Sequence, residues 1–575
     1  CRARKTKCDN KRPVCGFCES TGGRCVYGDE ERDHSRLDRG SLLILQRIGE
    51  LEQSLTTLVG KAINQNSGHN TPDLSQSRAI EDETFSPDII YASGEMGVES
   101  LLDWPVFQPG ESGRQFPLVS ILGQSSSESN RNSSMEQNYD IDPGAVWGLV
   151  SNFLSTNHIK NPILDIEMLW ADARDFIETG LRWDGKSCLI LLVCAVSVLS
   201  PPLSVEKTLD ASRLRERRVQ AEAYFQAAQR RIGMLYHENS MLAVQCSFLT
   251  AVYLMSTLRI LAAWKCFAQA GTQCLGWLAR RIPDPDAPEP EDPQRYVEES
   301  LYWSCLKSEL ELRTELGLPG SSLNEMRYPN VYPSPPRGAA QYPWGSASDV
   351  AEQTRNEQET GWFFYLAEIA TRRMMNEALS SRYQPSSWYL TKDWWTEQEE
   401  HHLLHYVEQL DSKLDSWYRT LPAPIAFPSD PAEPVGDVLR GILRGHLIDI
   451  REVLYFPALK AAMFKSLDEI GPRTMQVATL ALKNDMDRIM VCEEGYWHRH
   501  QGTWLMLRTC TRSCLHLLAA ALRVRDEPRL RDMLPEAWSS ATERVLNWIE
   551  HWKRESPDLE LLFGILAGYR ARLVT

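Results

Sequence analysis

The chain is 575 residues long, 43% apolar and 24% charged, a composition that suits a globular body with a large core and room for more than one domain. Its net charge of −15 is unevenly divided: residues 1–25 hold seven Lys/Arg against Asp9 and Glu19, a net of +5 that leaves −20 on the remainder. No stretch reads as a signal peptide, and the longest apolar run, Cys188–Leu199, stops at Ser200-Pro201-Pro202, too short to cross a bilayer, so no membrane partner is expected. A small basic head on an acidic body fits a protein that touches nucleic acid with one end only; a solvated basic surface with an import role is compatible with the same charges.

The first element is a cysteine block, Cys1-x6-Cys8-x6-Cys15-x2-Cys18-x6-Cys25, interleaved with Arg2, Arg4, Lys5, Lys7, Lys11 and Arg12. So many thiols in so short a segment favour zinc, which binds four thiolates tetrahedrally and supplies folding free energy that the segment cannot draw from a core. A disulfide knot is the rival reading, but an odd number of cysteines and a long chain that needs no staples count against it. The other nine cysteines lack ligand spacing and read as buried free thiols in a reducing compartment.

The block resembles the fungal binuclear zinc-cluster family of DNA-binding regulators, whose six cysteines run C-x2-C-x6-C-x5–12-C-x2-C-x6–8-C. CRARKTKC at 1–8, DNKRPVC at 9–15 and CESTGGRC at 18–25 match the second through sixth cysteines in order, and Pro13 stands where the family has a loop proline. The resemblance implies two zinc ions: Cys1, Cys8 and Cys15 on one, and Cys15, Cys18 and Cys25 on the other. The family's first cysteine falls three residues before Cys1, so each ion is expected to be one ligand short within these residues. It further implies a helix that enters the major groove, with Arg4 and Lys5 reading bases of a CGG-like triplet and Arg2 and Lys7 gripping phosphate.

Past the cluster (1–27) and a polar linker (28–40), Ile44, Ile48, Leu51, Leu55 and Leu58 alternate steps of four and three, with Ala62 continuing the seam. Arg47 at g and Glu52 at the following e suit a parallel pair, so residues 41–63 are expected to form a short coiled coil that makes a homodimer. An amphipathic helix packed on its own protein is the plainer alternative, and Gly49 weakens either helix.

Residues 64–140 are rich in Ser, Asn, Gln and Gly and are expected to be a disordered linker. Within them ESLLDWPVF (99–107) concentrates apolar and aromatic groups beside acids. It reads as a segment that docks onto the body or, less favoured, as an activation-type peptide, because Leu101, Leu102, Trp104 and Phe107 are costly to leave in water.

From 141 onward the chain reads as helices, so the expected fold is mainly α, a large all-helical regulatory domain at 141–575. Residues 212–236 are good helix formers without a break until Gly233, and 243–271 is apolar on nearly every face, as a core segment should be. Tyr302, Leu306 and Leu310 form a stripe that ends at Gly317 and Pro319, while 282–293, 328–344 and 421–434 are proline-rich breaks. NPILD (161–165), AAWKCFAQA (262–270) and YWSCLKSELELRTELGLP (302–319) resemble, in order, the regulatory middle homology region of fungal zinc-cluster factors.

No phosphate loop, nucleophile elbow or H-E-x-x-H appears, so the chain is not expected to be an enzyme. His401, His402 and His405 share a helical face but read as an exposed surface. His498 and His500 either flank a pocket or pack among aromatics, with packing favoured. Two function classes result. The favoured one is a nuclear, zinc-dependent, sequence-specific regulator of RNA polymerase II transcription that binds double-stranded DNA as a dimer and contacts coregulators. The other is a helical ligand-binding or enzymatic protein with an accessory zinc module.

Overall fold

A computed structural model of the chain describes residue 20 and residues 96–107, 118–123, 141–202, 210–281, 295–326, 333, 348–380 and 396–574. The chain divides into two units, Cys1–Asp82 and Glu83–Thr575, and the helical body belongs to the second. Among the described residues there is no strand, and the expected all-helical class is what the body shows.

The order is α1 (Val98–Leu102), α2 (Val146–Phe153), α3 (Ile166–Thr179), α4 (Gly185–Leu199) and α5 (Ala211–Ile232). Next come α6 (Met241–Ser256), α7 (Ile260–Leu278), α8 (Arg295–Leu316), α9 (Ser348–Ser380) and α10 (Glu397–Arg419). The chain ends with α11 (Val438–Phe464), α12 (Pro472–Cys492), α13 (Thr503–Asp526), α14 (Trp538–Trp552) and α15 (Pro557–Val574).

Starts are written in side chains that accept from the first turn's orphan N–H groups. Asp165 accepts from Met168 at 3.0 Å, Asp184 from Ser187 at 2.8 Å, Asp210 from Arg213 at 2.8 Å and Asp437 from Arg440 at 3.0 Å. The stop after Leu316 is the expected one: Gly317 takes φ +64°, and Leu318 N–H donates back to Arg313 O at 3.1 Å.

The apolar stretch 243–271 is core, as its composition predicts, but it is two helices. The chain turns at Leu258, whose φ of 55° is left-handed, before α7 begins. That conformation costs a β-carbon-bearing residue roughly 1–2 kcal/mol. Leu258 is buried, and burying a leucine returns about 1.5–3 kcal/mol, so the side chain keeps its strained place. α6 packs on α7 and α4, α4 on α5, α11 on α12 and α9, and α13 on α12, α14 and α1. One hydrophobic core runs through all of them.

Two pieces of the stretch read as a disordered linker are helical instead. Residues 96–107 and 118–123 are placed, with Met96, Val98, Leu101, Trp104, Phe107, Leu118 and Leu122 buried. The reason is the one that singled out 99–107: this much apolar surface is more stable against the body than in water. Trp104 lies edge-on to Phe464 at 5.3 Å and stacks on His516 at 6.0 Å, while Phe107 meets Tyr569 at 4.8 Å. Tyr569 Oη donates to Phe107 O at 2.9 Å. The 96–107 segment is a strap across α13 and α15.

The cysteines outside the N-terminal block carry no disulfide: Cys188, Cys194, Cys246, Cys274, Cys305, Cys510 and Cys514 are buried thiols, with Cys266 and Cys492 partly buried. No described helix is long and apolar enough to cross a membrane.

Candidate functional site

Every site residue predicted from sequence lies outside the described residues. This holds for the thiols of Cys1, Cys8, Cys15, Cys18 and Cys25, for Arg2, Arg4, Lys5 and Lys7, and for the seam of Ile44, Ile48, Leu51, Leu55 and Leu58. What can be weighed is donor chemistry. The set is sulfur only, at short regular intervals, among cations that favour thiolate; this suits zinc.

The body holds a second candidate, a cavity of about 360 Å³ walled by α8, α9, α11, α12 and α13 with Met96 of the strap. Ionised groups of its wall, among them Glu315, Arg512, Glu452, Arg488, Asp449 and His446, join others outside it in one network. Arg508, fully buried, donates twice to Glu99 at 2.8 Å and once to Glu315 at 2.7 Å. Arg512 reaches Glu315 at 3.4 Å and Glu452 at 2.6 Å. Arg488 joins Glu452 at 2.7 Å to Asp449 at 2.5 Å. His446 lies 3.5 Å from Asp449 and 3.7 Å from Glu368, which Lys307 also contacts. Charge alternates without interruption from the strap to the far side of the cavity.

Electrostatics keep the network ionised. Burial alone would lower the Arg508 pKa, but Glu315 and Glu99 outweigh it and hold it above its ordinary value. Burial likewise opposes charge on Asp449 and His446. Arg488 holds the aspartate below the usual carboxylate range, and Asp449 and Glu368 raise the histidine. Isolated buried charges cost several kcal/mol each, so alternation is the condition under which they persist. Lys160, beside this group, is drawn down to about 8 by burial, which Glu368 and Asp437 only partly offset.

His498 and His500 line the cavity, so the pocket reading describes them better than aromatic packing alone; the rings are also 5.5 Å apart. His500 Nδ1 accepts from Gly502 N–H at 3.0 Å, and burial holds the ring well below its ordinary pKa, so it is neutral with its proton on Nε2. His401, His402 and His405 are exposed on α10, as the plain reading expected; His405 pairs with Gln409 at 2.9 Å.

Among the described residues two groups bring metal-type donors together, Glu311 with Glu368 and His446, and Glu452 with Asp485 and His516. Both read as ion-pair nodes. Arg372 contacts Glu311, Lys307 contacts Glu368, and Glu452 is held between Arg488 and Arg512. Cations already occupy the place of an ion. A signal for the network was present in sequence: Arg508, Arg512 and His516 recur every four residues along one helix, ahead of the apolar run Leu517–Leu522.

Residues 1–34 match the fungal Zn(2)-Cys(6) binuclear cluster domain. Over 146 residues the chain is 31% identical to the abscisic acid cluster transcription factor abl7 of Leptosphaeria maculans, a match covering 24% of this chain and 22% of that protein. Over 75 residues it is 33% identical to a transcription factor of Aspergillus terreus, covering 13% and 12% respectively. The chain thus matches less than a quarter of the length of either relative.

Proposed function

We propose that this chain, which carries a fungal Zn(2)-Cys(6) binuclear cluster domain at residues 1–34, is a zinc-dependent, sequence-specific DNA-binding regulator of RNA polymerase II transcription that acts in the nucleus. The match over the cysteine block carries the reading, and both relatives named as transcription factors support it. Zinc, when bound, cross-links the thiolates and so orders the basic segment. Cys1, Cys8 and Cys15 serve one ion, and Cys15, Cys18 and Cys25 the other.

The remaining roles belong to this chain's cations and apolar seam. Arg4 and Lys5 donate to guanine O6 and N7 of a CGG-like half-site, and Arg2 and Lys7 neutralise phosphates. Ile44, Ile48, Leu51, Leu55 and Leu58 bring two copies together so that two half-sites bind as one. The helical body is regulatory and non-catalytic, and offers surface to coregulators.

Selection of sites from random double-stranded DNA by the protein, with and without a zinc chelator, tests this. Enrichment of CGG-containing sites that the chelator abolishes is expected. Lys5→Ala should cost about 1–3 kcal/mol on the best site and flatten preference among triplets, whereas Lys7→Ala weakens all sequences alike. A zinc-loaded protein that enriches no sequence would overturn the reading.

A further inference from the structure

We infer that the cavity of the helical body binds a small, mainly apolar organic molecule bearing one anionic group, a carboxylate or sulfonate. At about 360 Å³ the space falls within the range of small-molecule sites, roughly 300–1,000 Å³. Its apolar wall includes Ile442 and Val453 of α11, Met506 of α13 and Met96 of the strap, and methionine adapts to the shape of what it contacts.

Most ionised groups of the wall pair with one another, and two of its acids are held by backbone N–H groups. Arg372, Arg488 and Arg512 each contact carboxylates, Asp437 caps α11, and Glu494 accepts from Val435 N–H at 3.2 Å. Arg444 is different. It is 5% exposed, and its Nη1 donates to the backbone oxygens of Glu433 at 2.8 Å and Asp430 at 3.5 Å. Among the described residues no carboxylate contacts it; Glu494, Asp430 and Glu433 act on its charge only from further away. A buried guanidinium without a contacting counter-ion is costly, and an anionic group supplied by a ligand completes it. His500 adds a neutral Nε2–H donor to the same wall. A largely apolar chamber whose wall holds a buried arginine in contact with backbone oxygens only, and a neutral imidazole, suits an apolar body with a single acidic end.

Because Met96 belongs to the strap, an occupant touches the segment that joins body to linker, and occupancy bears on how firmly the strap is held. Binding here does not depend on whether the head recognises DNA, and the test reads the body.

Two fluorescent probes of like shape separate the elements of the proposal: 8-anilinonaphthalene-1-sulfonate, which is anionic, and N-phenyl-1-naphthylamine, which is not. Titrated into the full chain, the sulfonate should saturate at one equivalent and raise the melting temperature, with the amine about tenfold weaker, the worth of one charge-assisted contact. Arg444→Leu should bring the sulfonate down to the level of the amine and leave the amine within about twofold. Met506→Trp and Ile442→Phe, which fill the chamber from different helices, should each weaken both probes at least tenfold, with circular dichroism showing which of the two variants retains the native helical content. Sulfonate binding that survives both filled chambers belongs to the basic head or the surface and overturns the site. Failure of either probe to saturate near one equivalent does the same. Equal loss of both probes in Arg444→Leu removes the anionic requirement, and with it the proposal.

Discussion

At the scale of single residues, Arg508 shows how context sets the worth of a charge. It is fully buried with three bonds to carboxylates, so Arg508→Met strands part-exposed Glu99, leaves Glu315 only its longer contact to Arg512, and should cost about 3–5 kcal/mol. Glu99→Gln leaves Arg508 its bond to Glu315 and keeps a hydrogen-bonding group in place, so its cost should be about 1–2 kcal/mol. Urea unfolding of the two variants checks the order; an equal loss would place the stability elsewhere than in the buried guanidinium. His158 makes the opposite point. It is buried, its Nδ1 has no partner among the described residues, and burial pushes its pKa down to about 4. A depressed folded pKa means that the unfolded chain takes up the proton first, so stability present above pH 6.5 is lost as pH falls from about 6.5 to about 4, by about 3 kcal/mol. His446, whose pKa is raised, acts in the reverse sense, its contribution being lost as pH rises. His158→Leu should therefore flatten the stability profile between pH 6.5 and 4. An unchanged acid limb in urea midpoints would exclude His158 as its source.

At the scale of elements, the strap is the least expected and most testable piece. α1 alone is five residues and could not persist as an isolated helix; it exists because Val98 and Leu101 are buried against α13 and Glu99 is locked to Arg508. Trp104→Ala removes the largest anchor, and a buried tryptophan typically costs about 3–5 kcal/mol. Because the strap can undock while the remaining helices stay packed, the global loss should be smaller than that. The larger effect should be faster hydrogen exchange confined to 96–107. Exchange that rises equally across α13 and α15 would show that the strap unfolds only with the body.

For the whole molecule, charge separation is the governing feature. A head of +5 joined to −20 on the rest of the chain gives the proposed regulator an internal competitor for its own cations. Deleting 141–575 should raise DNA affinity at low salt, and the advantage should shrink as ionic strength shortens the Debye length to about 8 Å. Filter binding across a salt series reads this directly. Equal affinities at every salt concentration would leave the body with assembly or coregulator contact as its role.

The sequence by itself determined the features whose physics is local. The thiol spacing that suits zinc, the helical class, the stop at Gly317 and the apolar identity of 243–271 each depend on residues close together in the chain. The docking of 99–107 was legible as the favoured of two readings, though not its place or its partner. Only the tertiary structure decided that Leu258 breaks the core segment, and that Glu99 finds Arg508 across 409 positions. It alone brought charges from α8, α9, α11, α12 and α13 around one cavity and left Arg444 among them with no contacting carboxylate among the described residues. Whether a buried charge is paired depends on which helices meet, and that is settled by packing of the whole core rather than by the pattern of any one segment.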